Sequence, residues 1–138
     1  MMRNRDDDSG SILILTLGYA LLALALIVVC ANATSLHLAQ KRLDALADAA
    51  ALAGANGFTL TLEGEDPRAR LTDEGVRVQA QEIVRVAGEG ATLVSAVTPD
   101  GLSARATVAT RWKPILVSAF VPDGVALSAT ATSRTALR

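Results

Sequence analysis

Residues 11–31 read SILILTLGYALLALALIVVCA. No charged side chain interrupts this run, and as a helix its 21 residues cover roughly the 30 Å hydrocarbon core of a bilayer. Immediately before it stand Asp6, Asp7, Asp8, Ser9 and Gly10, and immediately after it an alanine-rich helical pattern begins. The run predicts a transmembrane helix around which everything else is arranged: a short charged leader over 1–10, the span over 11–31, a helix continuing outside the membrane over 32–57, and a small module over 58–138.

Beyond the span the sequence from Leu36 is LHLAQKRLDALADAAALAGA. Leu36, Ala39, Leu43, Leu46, Ala50 and Ala53 recur at alternating spacings of three and four, which places them on one helical stripe. Lys41, Asp44 and Asp48 fall on the other side. There is no proline between Ser11 and Ala55, so one helix of about 68 Å could run out of the membrane. Asn32, Thr34 and Ser35 are weak helix formers and predict a bend or break at the exit, while Gly54 and Gly57 supply a stop. The small residues of the stripe allow close approach of another helix. Leu43, Leu46, Ala50 and Ala53 are therefore the candidate helix-packing interface. Its partner is either a second helix or the chain's own C-terminal module.

Read downstream, Phe58–Leu62 alternates as a short strand, and Glu63–Arg70, charged and holding Gly64 and Pro67, reads as a loop. Thr72-Asp73-Glu74 has the form of a helix start, followed by an apolar face of Val76, Ala80, Ile83, Val84 and Ala87 up to Gly88. Leu93, Ser95 and Val97 alternate with Thr92, Val94 and Ala96; Thr98-Pro99-Asp100-Gly101 is a turn; Leu102–Trp112 alternates again, predicting a hairpin. Ile115–Val121 is apolar without clear period, and Pro122-Asp123-Gly124 repeats the turn chemistry before a last strand over Val125–Thr132. Long helix, strand, helix, hairpin and strand define an α+β class with a small antiparallel sheet.

Composition narrows the chemistry. The net charge of −1, with no basic cluster after Arg42, argues against a nucleic-acid partner. One cysteine and one histidine exclude a disulfide framework and a Cys/His zinc site. Cys30 reads as a small apolar membrane residue, because Val29 before it lacks the small size that a bacterial lipidation signal needs. His37 has no evident catalytic partner. Glu63, Glu65, Asp66, Asp73 and Glu74 could gather weakly around a cation but lack the oxygen spacing of a calcium loop. No cofactor is expected, and an enzyme is not.

The first half of the chain resembles the tight-adherence (Flp) pilus-assembly proteins of the TadE/TadG type. The likeness rests on Gly10-Ser11 before the apolar run, on Lys41-Arg42-Leu43, and on Asp48-Ala49-Ala50-Ala51-Leu52-Ala53-Gly54-Ala55. Leu127–Thr132 is similar to the family's final strand, and small actinobacterial TadE-like proteins are the best match in size. The resemblance implies a pilin-like fold and pseudopilin-like behaviour: a membrane-anchored structural or accessory component with the N-terminus inside, associated with other pilus or secretion-system proteins or with copies of itself. Processing by a prepilin peptidase would cut between Gly10 and Ser11. Processed pilins carry a glutamate five residues after the cut, where this chain has Leu15; TadG-like proteins also lack it and keep their anchor, which implies an uncleaved or inefficiently cleaved component. Charge alone leaves topology tied, with Arg3 and Arg5 on one side and Lys41 and Arg42 on the other. The alternative is a secreted effector or binding protein, released by signal-peptide cleavage after Ala33 in Ala31-Asn32-Ala33.

Overall fold

The structure, a computed structural model, describes residues 5–63 and 66–135, with side chains described from residue 10 onward except over 61–68. Helix α1 (Arg5–Ala55) is followed by β1 (Thr59–Glu63), β2 (Asp66–Arg70), α2 (Asp73–Ala87), β3 (Thr92–Val97), β4 (Ser103–Trp112) and β5 (Val125–Arg134). β1 and β2 form an antiparallel ribbon, and the other three strands form an antiparallel sheet in the order β3-β4-β5. The architecture is α+β and pilin-like: a long helix whose C-terminal part, its outer part by distance from the apolar run, carries a second helix and a small sheet.

α1 is helical throughout its 51 residues, including the stretch over Asn32, Thr34 and Ser35 where a break was expected. Asn32 donates from Nδ2 to the carbonyl of Val28 at 2.8 Å, so its side chain binds back along the helix and does not compete with the ladder. The helix ends where the carbonyls of Ala53 and Gly54 accept from Asn56 and Gly57 at 3.1 and 3.0 Å.

The outer part of α1 buries Leu43, Leu46, Ala47, Ala50, Ala51, Gly54 and Ala55. These spacings alternate between three and one, which is a wide stripe on one side of a helix. The stripe packs on α2 and on β4 and β5. It is rotated from the expected one: Ala47, Ala51 and Gly54 enter, and Ala53 is only half-buried. Small residues dominate it because two layers press on it at once. A Cβ at Gly54 would stand 2.9 Å from Val76 Cγ1 and 3.2 Å from the Cβ of Ala104, while Gly57 lies against the backbone of Gly75 in α2.

α2 starts as its sequence predicts. Thr72 is its N-cap, accepting from the Gly75 N–H at 3.1 Å, and Asp73 and Glu74 occupy the first turn. Val76, Ala80 and Val84 are buried and Ile83 is half-buried, whereas Ala87, assigned to the same face, is exposed at the last residue of the helix. In β4, Ala104, Ala106 and Val108 are fully buried and alternate with outward Arg105 and Thr107. Thr107 and Thr130 join their hydroxyls across β4 and β5 at 2.8 Å.

Two strand expectations are also corrected. Glu63–Arg70 is not all loop: Asp66–Arg70 pairs with β1, Thr59 opposite Arg70 and Leu62 opposite Pro67. A two-stranded ribbon leaves one edge of each strand free, where a residue without an N–H is tolerated. Ala69 and Leu71 pin its far end into the module. In β3, strict alternation put Leu93 and Ala96 on opposite faces. A register shift between Leu93 and Ser95 inserts one residue, leaves Val94 exposed and sends both Leu93 and Ala96 to the core.

The β3–β4 turn is held by one carboxylate. Asp100 Oδ1 accepts from the N–H groups of Leu102 and Ser103 at 2.9 and 2.6 Å and from the buried Ser103 hydroxyl at 2.7 Å. Gly101 follows at φ 74°. The Ser103 hydroxyl, the two backbone donors and, more distantly, Arg134 lower the Asp100 pKa to about 2. In the unfolded chain an aspartate titrates near 3.9, so folding favours the ionised form. The contribution is complete above about pH 4 and is lost as pH falls through the folded value. Asp100→Ala is expected to lower the melting temperature at neutral pH and to flatten its decline between about pH 4 and 2. A mutant acid limb parallel to the wild-type one would contradict this.

Candidate interaction surfaces

The described residues assemble no evident catalytic constellation. His37 is exposed on α1, and no group of three or more His, Cys, Asp or Glu side chains capable of holding a metal occurs among the described residues. Of the expected acidic gathering, Glu65 and the side chains of Glu63 and Asp66 lie outside the described residues. Asp73 is engaged by the Thr98 N–H at 2.8 Å, and Glu74 pairs with Arg77 within α2. What the chain presents instead is surface, in three parts.

The first is the apolar run itself. Every described residue from 10 to 27 is exposed, including Leu13, Leu15, Leu17, Tyr19, Leu21, Leu24 and Ile27. This is the one described helix long and apolar enough to cross a membrane. Gly10 and Ser11, the candidate processing pair, lie in its first turns, where a side chain on Gly10 would meet nothing. Leu15 is exposed. Cys30 is an exposed free thiol near the end of the run.

The second is the outer part of α1. Leu43, Leu46 and Ala50 are buried against the chain's own α2 and sheet, and Ala53 sits half-buried beside them. Of the two packings open to that stripe, the intramolecular one is present. The opposite face carries Leu38, Ala45, Ala49 and Leu52, all exposed and at helical spacing, with Lys41 and Arg42 flanking them. Sequence periodicity alone did not separate the two faces, because alanine occurs on both.

The third surface follows from how the sheet is hung on α1. At its far end Ala104 of β4 lies against Gly54; at its near end Trp112 donates from Nε1 to the Ser35 hydroxyl at 3.1 Å. Eight strand residues rise about 26 Å and nineteen helical residues about 28 Å, so β4 runs antiparallel to α1, back toward the apolar run. β5 returns alongside it, with Gln40 donating to the Ser128 carbonyl at 3.2 Å. The β4–β5 connection, residues 113–124, is therefore at the end of the module nearest the apolar run. It contains one helical turn, in which Val117 O accepts from Phe120 and Val121, and it closes at Gly124 with φ 67°. Ile115, Leu116 and Phe120 are exposed there. The sequence signal was an apolar stretch bounded by Pro114 and Pro122; nothing in its period told that it would face outward.

Residues 10–57 match the family described as putative Flp pilus-assembly TadE/G-like. That segment, about a third of the chain, covers most of α1 and its stop and is TadE/G-like. No curated protein and no solved structure matches the chain.

Proposed function

We propose that the chain is a single-pass, membrane-anchored accessory component of a Tad/Flp-type pilus or related secretion machine, working through protein–protein contact and not catalysis. One observation carries this reading. The family match falls on α1, which the module leaves bare over residues 10–27 and uncovered on one face beyond. A bare apolar helix of this length is stable in lipid and not in water. In this reading 1–10 lie inside, 11–31 span the membrane, 32–57 extend outside, and 58–138 form the displayed module. The N-inside orientation rests on size: the folded hundred residues are the natural exoplasmic part. Leu43, Leu46, Ala50 and Ala53 join the module to its anchor. The Leu38, Ala45, Ala49 and Leu52 face is left for a second copy or another pilus-assembly protein.

The test is a photo-activatable residue at Leu38 or Leu52 in the full chain, expressed in its native host. Crosslinks to a second copy or to an integral pilus or secretion protein are expected, several-fold above those from the same residue placed at Leu60 on β1. Equal crosslinking from both positions would overturn the assigned face. Recovery of the protein as a soluble form starting near Thr34 would overturn the anchor itself and restore the released-protein alternative.

A further inference from the structure

We infer that the β4–β5 connection, residues 113–124, is a second membrane contact, dipping its apolar side chains into the leaflet from which α1 emerges. The inference rests on the anchored reading above and adds a site to it.

Depth is the first argument. The apolar run ends at Ala31, and Ser35, which accepts from Trp112, lies about 6 Å further along α1. The polar headgroup layer on each side of a bilayer is about 5–8 Å thick. Trp112 is thus held at headgroup depth, where amphipathic indole rings are favoured. The strands stop at Trp112 and Val125, which face each other in the register, and the twelve residues between them extend from that level.

Coverage of α1 fixes the direction. All described residues from 10 to 27 are exposed, but Val28 and Asn32 are half-buried, and Asn32 Oδ1 is shielded from solvent. The module therefore reaches about 10 Å below the Trp112–Ser35 bond, to a point inside the apolar run. The segment continuing past the strand ends at that place is 113–124.

Chemistry is the third argument. Phe120 is 85% exposed and Ile115 76%, with Leu116 and Val121 beside them. Such a group on a short loop is unfavourable in water and suited to the acyl boundary. The charges around it are Arg111, Lys113 and Asp123. Arg111 donates to the Asp123 carbonyl at 2.7 Å, which closes the loop's neck and leaves a basic rim suited to anionic lipid headgroups. A protein groove could also accept apolar side chains, but it would have to lie at the same depth beside α1. Lipid is already there.

Two labelled forms of the full chain, in phosphatidylcholine vesicles containing phosphatidylglycerol, test this. One carries an environment-sensitive fluorophore on the native Cys30, reporting the anchor. The other carries it on Phe120→Cys in a Cys30→Ser background, a site exposed enough for the change to leave folding intact. A shallow lipid-borne nitroxide is expected to quench both by roughly half, with aqueous iodide ineffective at either. In a third, control form the same label on Leu102→Cys, also in the Cys30→Ser background and at the far end of β4, should respond to iodide and not to the nitroxide. Quenching at Cys30 with Phe120→Cys open to iodide would overturn the loop contact and leave the anchor standing. Iodide access at both sites would overturn the two together, and nitroxide quenching at Leu102→Cys equal to that at Phe120→Cys would overturn the assigned depth order.

Discussion

Replacing Gly54 with leucine is expected to unfold the outer module while leaving the apolar run in the membrane. Gly54 is buried where α2 and β4 both press on α1. Even a single added carbon would meet Val76 Cγ1 at 2.9 Å and Ala104 Cβ at 3.2 Å. Neither neighbour can yield readily, since both are fully buried and Val76 is a β-branched residue on a helix with little rotamer freedom. Overpacking of this kind costs typically about 1–3 kcal/mol for a few added carbons. A leucine exceeds that in a module whose largest fully buried side chains are Val76 and Val108. Gly54→Ala is the finer probe. It gains about 1 kcal/mol of helix propensity and loses a similar or larger amount to crowding, so its net effect is small and destabilising. Val76→Ala should cost less in the Gly54→Ala background than in the wild type, a favourable coupling of about 0.5–2 kcal/mol. Denaturation followed by the fluorescence of Trp112, the single tryptophan, reads all of these. A Gly54→Leu midpoint equal to wild type would show that the α1–α2–β4 packing is wrong.

Two arginines in the middle of the run, Leu21→Arg with Leu24→Arg, are expected to release the protein from membranes. Both positions are exposed on α1, with no module near them to shelter a charge. Each arginine near the helix centre costs about 2.5–3.5 kcal/mol on insertion scales, and two close together leave little room for snorkelling relief. The fraction resisting carbonate extraction should fall by roughly tenfold or more. Val94→Arg, exposed on β3, should change nothing in the same assay. Equal retention of the double variant would mean that the apolar run is not the anchor.

The Gly54 argument also gives a physical reason for the segment DAAALAGA. Ala50, Ala51, Gly54 and Ala55 are small because a helix and a sheet must reach the same stretch of α1 together. The family likeness over residues 10–57 thus has a packing counterpart inside the chain as well as the membrane run that precedes it.

How much could be read without coordinates follows from the range of each interaction. Local chemistry was legible: Thr72 capping α2, Gly101 and Gly124 at positive φ, and the β4 alternation of Ala104, Ala106 and Val108. The apolar run was legible too, since absence of charge over 21 residues needs no partner to interpret. Properties set by contacts distant in sequence were not. The ribbon strand over Asp66–Arg70 exists because β1 pairs with its backbone, which its charged and proline-bearing side chains do not announce. The bulge after Leu93 depends on β4, and the true buried face of α1 depends on α2 and β4 both arriving at Gly54. The outward Ile115 and Phe120 gained meaning only when the Trp112–Ser35 bond hung β4 back along α1. The sequence by itself determined where a helix could cross a membrane and how each turn and cap would close, because those depend on neighbours within a few residues. Only the tertiary structure decided which alanine face is buried and which end of the module lies nearest the apolar run, because those depend on groups up to 88 residues apart.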